Sequence, residues 1–235
     1  MPDLAVRTEG KGDREILFLM GFGCGLNQPG MIWAKDRIVN SGFRATFVEL
    51  PTHFEDFQAD VIDPCLEIER GMGDHVLIGF SMGGLAGSFL FGSRRRIFLC
   101  PFWGISETLH KGWTDFALRN LRVIRFRMLP RRFHHGDMGE FAVKEDLEGL
   151  PEFLDFHSIS EMKEKQLNLP PPRDGDIVFW SKEDLLIGHR EILDRGVEQR
   201  LFDGGHMIYL VGDRESIFGE ILDLADDEFK TQTDR

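Results

Sequence analysis

Residues 76–87 read VLIGFSMGGLAG, an aliphatic run that breaks into glycines around a single serine. Together with His75, the run HVLIGF lacks polar alternation, the pattern of a strand covered on both faces. The small and apolar residues that follow, MGGLAGSFLFGS (82–93), suit a helix packed closely against that strand. Gly79-Phe80-Ser81-Met82-Gly83 thus forms G-x-S-x-G at a strand-to-helix turn. A serine in a strained turn is tolerated where its neighbours are small, and its hydroxyl then projects at the start of the helix, where amides can stabilise an oxyanion. The alternative is a tight glycine turn in which the serine is incidental.

Working outward, further short apolar runs read as strands at 15–20, 44–50, 96–100, 176–180 and 197–202. Helical punctuation appears between them: QPGMIWAKDRIVNSG has proline near its start and glycine at its end. DRESIFGEILDLADDEF places apolar residues at helical spacing near the end of the chain. Strands alternating with helices predict an α/β fold with a doubly wound, mostly parallel sheet. One interval breaks the rhythm: residues 104–169 hold no good strand, and they run into LPPPRDGD, a connector that cannot continue a helix. The expected organisation is a body of residues 1–103 and 170–235 with a helical lid, 104–169, inserted between two strands. In open α/β sheets ligands bind beyond the carboxyl ends of the strands, which is where such an insertion would sit.

The composition fits this picture. The chain has 235 residues, 42% hydrophobic and 29% charged, which suffices for one sizeable core. Charges interrupt every apolar run before the ~20 residues needed to cross a bilayer, and the polar N-terminal segment does not read as a signal peptide. A cytoplasmic protein without membrane partners is expected. Three widely spaced cysteines suit reduced thiols, and no clustered pattern suggests a zinc site. A net charge of −12 argues against nucleic acid as a partner. Against that acidity, RNLRVIRFRMLPRRFHH concentrates arginines, among them Arg122 and Arg125. These read either as a solvated face or as a dock for an anionic substrate, a coenzyme A moiety or an acidic carrier protein.

A serine at neutral pH needs a base, and the base an orienting partner. His206, in LFDGGHMIYL directly after the last predicted strand, is the candidate base; the other histidines, His75 and His189 among them, read as surface residues. FWSKEDLLIG offers Glu183 and Asp184, with Asp184 deeper in the loop; its alternative role is an N-cap aspartate. Phe102, Trp103, Trp113 and Phe116 either line an apolar acyl pocket or pack the lid on the body. Cys24 reads as a small loop residue. No metal or organic cofactor is expected.

Taken together, GFSMGG, VFWSKEDLLI and LFDGGHMIYLVGDRESI resemble the nucleophile, acid and histidine segments of the α/β-hydrolase fold superfamily. The likeness runs from about Glu15 to Phe229. It implies Ser81 as nucleophile, His206 as general base and Asp184 as its orienter, with an oxyanion hole from the backbone N–H groups of Phe22 and Met82. The implied activity is hydrolysis of an ester or thioester, free or carrier-bound. GKGDREILFLMGFGCGLN is locally similar to the start of the biotin-pathway methyl esterases, which act on a carrier-bound ester. Other members use the same triad as a base for elimination, or bind ligands without turnover. Two departures stand out. Met20-Gly21 replaces the usual His-Gly, so the bonds that brace the oxyanion loop must be replaced or lost. VELPTHFEDF lacks the usual D-x-P-G-x-G-x-S pattern.

Overall fold

The computed structural model describes residues 4–104, 140–148 and 156–230. Apolar runs without alternation become the interior of a sheet because both of their faces are covered. Seven strands form it: β1 (Ala5–Glu9), β2 (Arg14–Leu19), β3 (Phe43–Glu49), β4 (His75–Phe80), β5 (Arg95–Leu99), β6 (Ile177–Trp180) and β7 (Glu198–Leu201). Their order is β1-β3-β2-β4-β5-β6-β7. All neighbours are parallel except β1 and β3, which run antiparallel with Ala5 opposite Glu49. At the centre, Ile16–Leu19 of β2 and Val76–Phe80 of β4 are buried throughout. β1 is a finding beyond the sequence expectation: AVRTE is largely exposed, an edge strand with too few apolar residues to stand out.

α1 (Pro29–Asn40) starts at its proline and buries Gly30, Met31, Ala34 and Ile38, the three-and-four spacing of one helical face. A single π-helical turn (Gln58–Ile62) leads into α2 (Asp63–Arg70). α3 (Met82–Gly87) is buried along its whole length and is shorter than the run 82–93 predicts. Tight turns close it, with Phe89 N–H donating to Ala86 O and Leu90 N–H to Gly87 O, because the chain must return to β5 by Arg95. Between β5 and β6 lie α4 (Lys144–Glu148) and α5 (Phe156–Leu167). α5 is tied to the body through Lys165 to Gln58 (2.9 Å) and Gln166 to the Phe102 carbonyl (2.8 Å). α6 (His189–Leu193), a 3-10 turn (Ile208–Leu210) and α7 (Arg214–Lys230) complete the described elements. Among the described residues no helix is long and apolar enough to cross a membrane.

The strand order places the chemistry. β2 connects to β3 on one side, while β4 lies on its other side, so the order in which the chain adds strands reverses between β2 and β4, which remain parallel. The crevice beyond their carboxyl ends is the natural ligand position of such a sheet. The Gly21–Gln28 loop leaves β2 there, and Ser81 leaves β4 beside it.

Candidate active site

Ser81 has φ 52° and ψ −114°, a left-handed conformation that costs a non-glycine residue of order 1–3 kcal/mol. The surrounding bonds hold it there. Its N–H donates to Leu99 O (2.9 Å), and its carbonyl accepts from Gly84 (2.9 Å), Leu85 (3.1 Å) and Phe102 (2.9 Å). The glycines on either side are required by close approach. A methyl at Gly83 would lie 2.1 Å from Leu19 O, and one at Gly79 would lie 2.8 Å from Gly83 O.

His206, in the loop between β7 and the 3-10 turn, is buried against the Phe80 ring. Its Nδ1 lies 2.7 Å from Asp184 Oδ2, and its Nε2 lies 2.9 Å from Ser81 Oγ. A carboxylate only accepts, so Nδ1 carries the proton and donates to Asp184, which leaves Nε2 to accept from the Ser81 hydroxyl. Asp184 follows β6. Its Oδ1 takes the N–H groups of Leu186 (2.8 Å) and Ile187 (3.4 Å), so the capping role and the contact with His206 fall on different oxygens of one carboxylate. Burial pushes the Asp184 pKa up, but His206 and those two N–H groups outweigh it and hold the carboxyl below its ordinary value. Glu183 next to it is exposed.

Gly21 follows β2 and packs on the turn: a methyl there would lie 3.1 Å from Ser81 Cβ. Among the described residues neither the Phe22 N–H nor the Met82 N–H meets a hydrogen-bond acceptor. Met20 is fully buried with its N–H on Val48 O (3.0 Å), and the loop is braced by other groups. Glu49 Oε2 accepts from Leu26 N–H (3.0 Å), and the Cys24 thiol lies 3.3 Å from the Tyr209 hydroxyl.

Phe102 is half-buried beside Ser81, whose carbonyl takes its N–H. Trp103 packs on the body instead: its indole N–H donates to Ser88 Oγ (2.8 Å), its ring meets Phe98 edge-on, and the Arg195 guanidinium lies 4.8 Å above it. Trp113, Phe116, Arg122 and Arg125 lie outside the described residues, as does most of the interval read as a lid.

Two histidines depart from expectation. His75 is buried, paired with Glu69 of α2 at 3.5 Å. The ring of His189 reaches back to the Asp184 carbonyl at 2.9 Å and so steadies the acid loop. Cys100, one of the three thiols expected to be reduced, directly follows β5 with φ 43°, and its thiol lies with Asp184 and His206 in a cluster whose ligand atoms fall within 4.8 Å. Both His206 nitrogens are already engaged, and burial, then the Asp184 charge, pushes the thiol well above its ordinary range.

No curated protein matches the sequence. Among solved structures, the fold is similar to that of a soluble variant of the Saccharomyces cerevisiae monoglyceride lipase, at 14% identity and TM-score 0.73 over 97% of each chain. The Paleococcus ferrophilus monoacylglycerol lipase is similar at 13% identity and TM-score 0.76, over 96% of this chain and 99% of that one. An Exiguobacterium antarcticum esterase is similar at 15% identity and TM-score 0.58 over 95% of each. These likenesses speak for the fold. The sequence pattern of the alpha/beta hydrolase family spans residues 19–215, from the end of β2 through Ser81, Asp184 and His206, and the chain belongs to that family.

Proposed function

We propose that the protein is a serine hydrolase that cleaves a carboxylic ester or thioester through an acyl-enzyme. The observation that carries this reading is the unbroken series Asp184–His206–Ser81, closed at 2.7 and 2.9 Å. Ser81 Oγ attacks the carbonyl carbon while its proton passes to His206 Nε2; Asp184 stabilises the imidazolium that forms. The carbonyl oxygen becomes an alkoxide held by the N–H groups of Met82 and Phe22. Collapse expels the alcohol or thiol, protonated by His206. Water, deprotonated by His206, then attacks the acyl carbon, and Ser81 leaves with its proton restored.

In this reading residues 1–103 and 170–235 form the catalytic body, residues 104–169 cover the crevice, and Phe102 contributes to the acyl pocket. The fold shared with monoacylglycerol lipases makes a monoacylglycerol a rational member of the substrate panel, beside p-nitrophenyl esters and acyl thioesters of graded chain length. Wild-type protein is expected to hydrolyse at least one of these, and Ser81→Ala to abolish it. A fluorophosphonate probe is expected to label Ser81. Folded protein that neither turns over any ester nor takes the probe would sink the reading in favour of a binding protein built on the same fold.

A further inference from the structure

The loop Gly21–Gln28 has no regular secondary structure, and its three glycines, 21, 23 and 25, give it more freedom than a side-chain-bearing loop would have. In the mechanism above it must nevertheless hold the Phe22 N–H toward a single point. One side chain crosslinks it. Gln28, immediately before α1, is 7% exposed. Its Oε1 accepts from the Gly25 N–H at 3.0 Å, and its Nε2 donates to the Gly23 carbonyl at 3.1 Å. The main chain closes two turns around the same point, Cys24 N–H to Gly21 O and Gln28 N–H to Gly25 O, each at 3.1 Å. The ties to Glu49 and Tyr209 leave from Leu26 and Cys24, and neither joins two points of the loop to each other.

A primary amide suits this place because it carries a donor and an acceptor at the end of one side chain. A methionine has the length and neither group, a glutamate only accepts, and an asparagine is one methylene shorter. The α1 N-terminus does not use the Gln28 side chain, which makes no capping bond there. Both side-chain bonds that it makes go to the loop.

We infer that Gln28 is a positioning residue for catalysis: its amide fixes the Gly21–Gly25 main chain so that the Phe22 N–H meets the alkoxide formed on Ser81, without Gln28 touching substrate. This rests on the proposed role of Ser81 and adds to it the source of the loop's rigidity.

The test compares wild type, Gln28→Met and Gln28→Glu on p-nitrophenyl butyrate and with hexyl trifluoromethyl ketone. That ketone inhibits serine hydrolases as a hemiketal: Oγ bonds to the carbonyl carbon, its proton goes to His206, and the carbonyl oxygen becomes the alkoxide that needs the N–H donors. A displacement of about 1 Å at a positioned group costs on the order of 100-fold. Gln28→Met is expected to lose about that factor in kcat with KM moving less than about twofold, and its ketone Ki is expected to rise in parallel. Gln28→Glu keeps the bond from Gly25, loses the one to Gly23, and should fall between. It also carries the test if Gln28→Met fails to fold, since it keeps the length of the side chain and the bond from Gly25. Kinetics and ketone affinity within about twofold of wild type in the folded variants would overturn the inference, as would a loss confined to KM. Absence of Ser81-dependent turnover in the wild type would instead be a failure of the proposed function, so the two outcomes stay separate.

Discussion

Strand β4 has a buried histidine–carboxylate pair at each end, and only one of them reaches a hydroxyl. At the amino end, His75 Nδ1–H donates to Gly73 O at 2.8 Å, and Nε2 faces Glu69 Oε1 at 3.5 Å; neither of those two atoms has a hydrogen-bond partner. At the carboxyl end, His206 is engaged on both sides, by Asp184 and by Ser81. A histidine pinned by a carbonyl and a carboxylate is a staple between α2 and β4. Turned so that its second nitrogen accepts from a serine, the same pair becomes a candidate base. The decisive difference is the third group, supplied by the strained turn at Ser81.

The largest expected effect separates the two ends by activity. Asp184→Asn removes the acceptor that selects the His206 tautomer and should lower kcat by about 10⁴-fold. His206→Gln should cost at least as much. His75→Gln should leave kcat within about twofold, as a change remote from the reacting atoms. Steady-state kinetics on an ester the wild type turns over decide it. A His75→Gln loss comparable to that of His206→Gln, in protein of unchanged melting temperature, would erase the distinction.

Stability should separate them in the opposite sense. His75→Leu leaves the Glu69 carboxylate buried without its partner, and breaking a buried pair in that way costs about 3 kcal/mol or more. For a chain of this size that is about a 10 °C fall in melting temperature, with kcat at 25 °C retained. Calorimetry reads the first and a rate assay the second.

The same pair sets a pH signature. Burial works against charge on His75, but the close Glu69 carboxylate, the Gly73 carbonyl and the charge of Glu15 outweigh it and raise the pKa above 6.5. Burial likewise pushes Glu69 up, yet the close His75 ring and the main chain at Gly92 and Phe91 bring it below 4.5. The raised histidine contributes stability that is complete below 6.5 and fades as pH climbs through its folded value. The lowered glutamate contributes stability that is complete above 4.5 and fades as pH falls through its folded value. Together they place the full contribution of the pair between about 4.5 and 6.5, declining on the alkaline side. Melting curves across pH should show His75→Leu flattening that alkaline decline.

Much of this molecule could be read from the sequence where a residue's local company determines its role. The six runs became β2 to β7 within a residue or so at either end; most lack polar alternation, and β4 and β6 are buried on both faces, while β7 is half-exposed. Ser81 and His206 stood out because glycines mark the turns that present them. What escaped depends on company assembled from elsewhere in the chain. β1 exists through its pairing with β3 and has almost no apolar signal. His75 reads as a polar residue opening a strand until α2 brings Glu69 over it. Gln28 reads as an ordinary residue before Pro29, since its two bonds depend on the fold of a glycine loop. Cys100 reads as the last residue of an apolar strand, and it takes the approach of Asp184 and His206 to give its thiol polar neighbours.

The smallest expected effect concerns the thiols, and it tests whether oxygen or sulfur is the nucleophile at this end of the sheet. Cys24, in the loop beside Ser81, is pushed up to about 11 by burial, and Cys65, on the buried face of α2, to about 12 for the same reason. Alkylation needs the thiolate. At pH 8 a thiol with a pKa of about 11 is ionised in roughly one molecule per thousand, and its burial blocks approach as well. Iodoacetamide at that pH should therefore leave ester hydrolysis unchanged, and mass spectrometry should find no adduct until guanidinium exposes the three cysteines. A fluorophosphonate under the same conditions should abolish activity. Inactivation that tracks alkylation of Cys24 would transfer the role of nucleophile from the strand-end serine to the loop, and the contrast between the two ends of β4 would lose its third group.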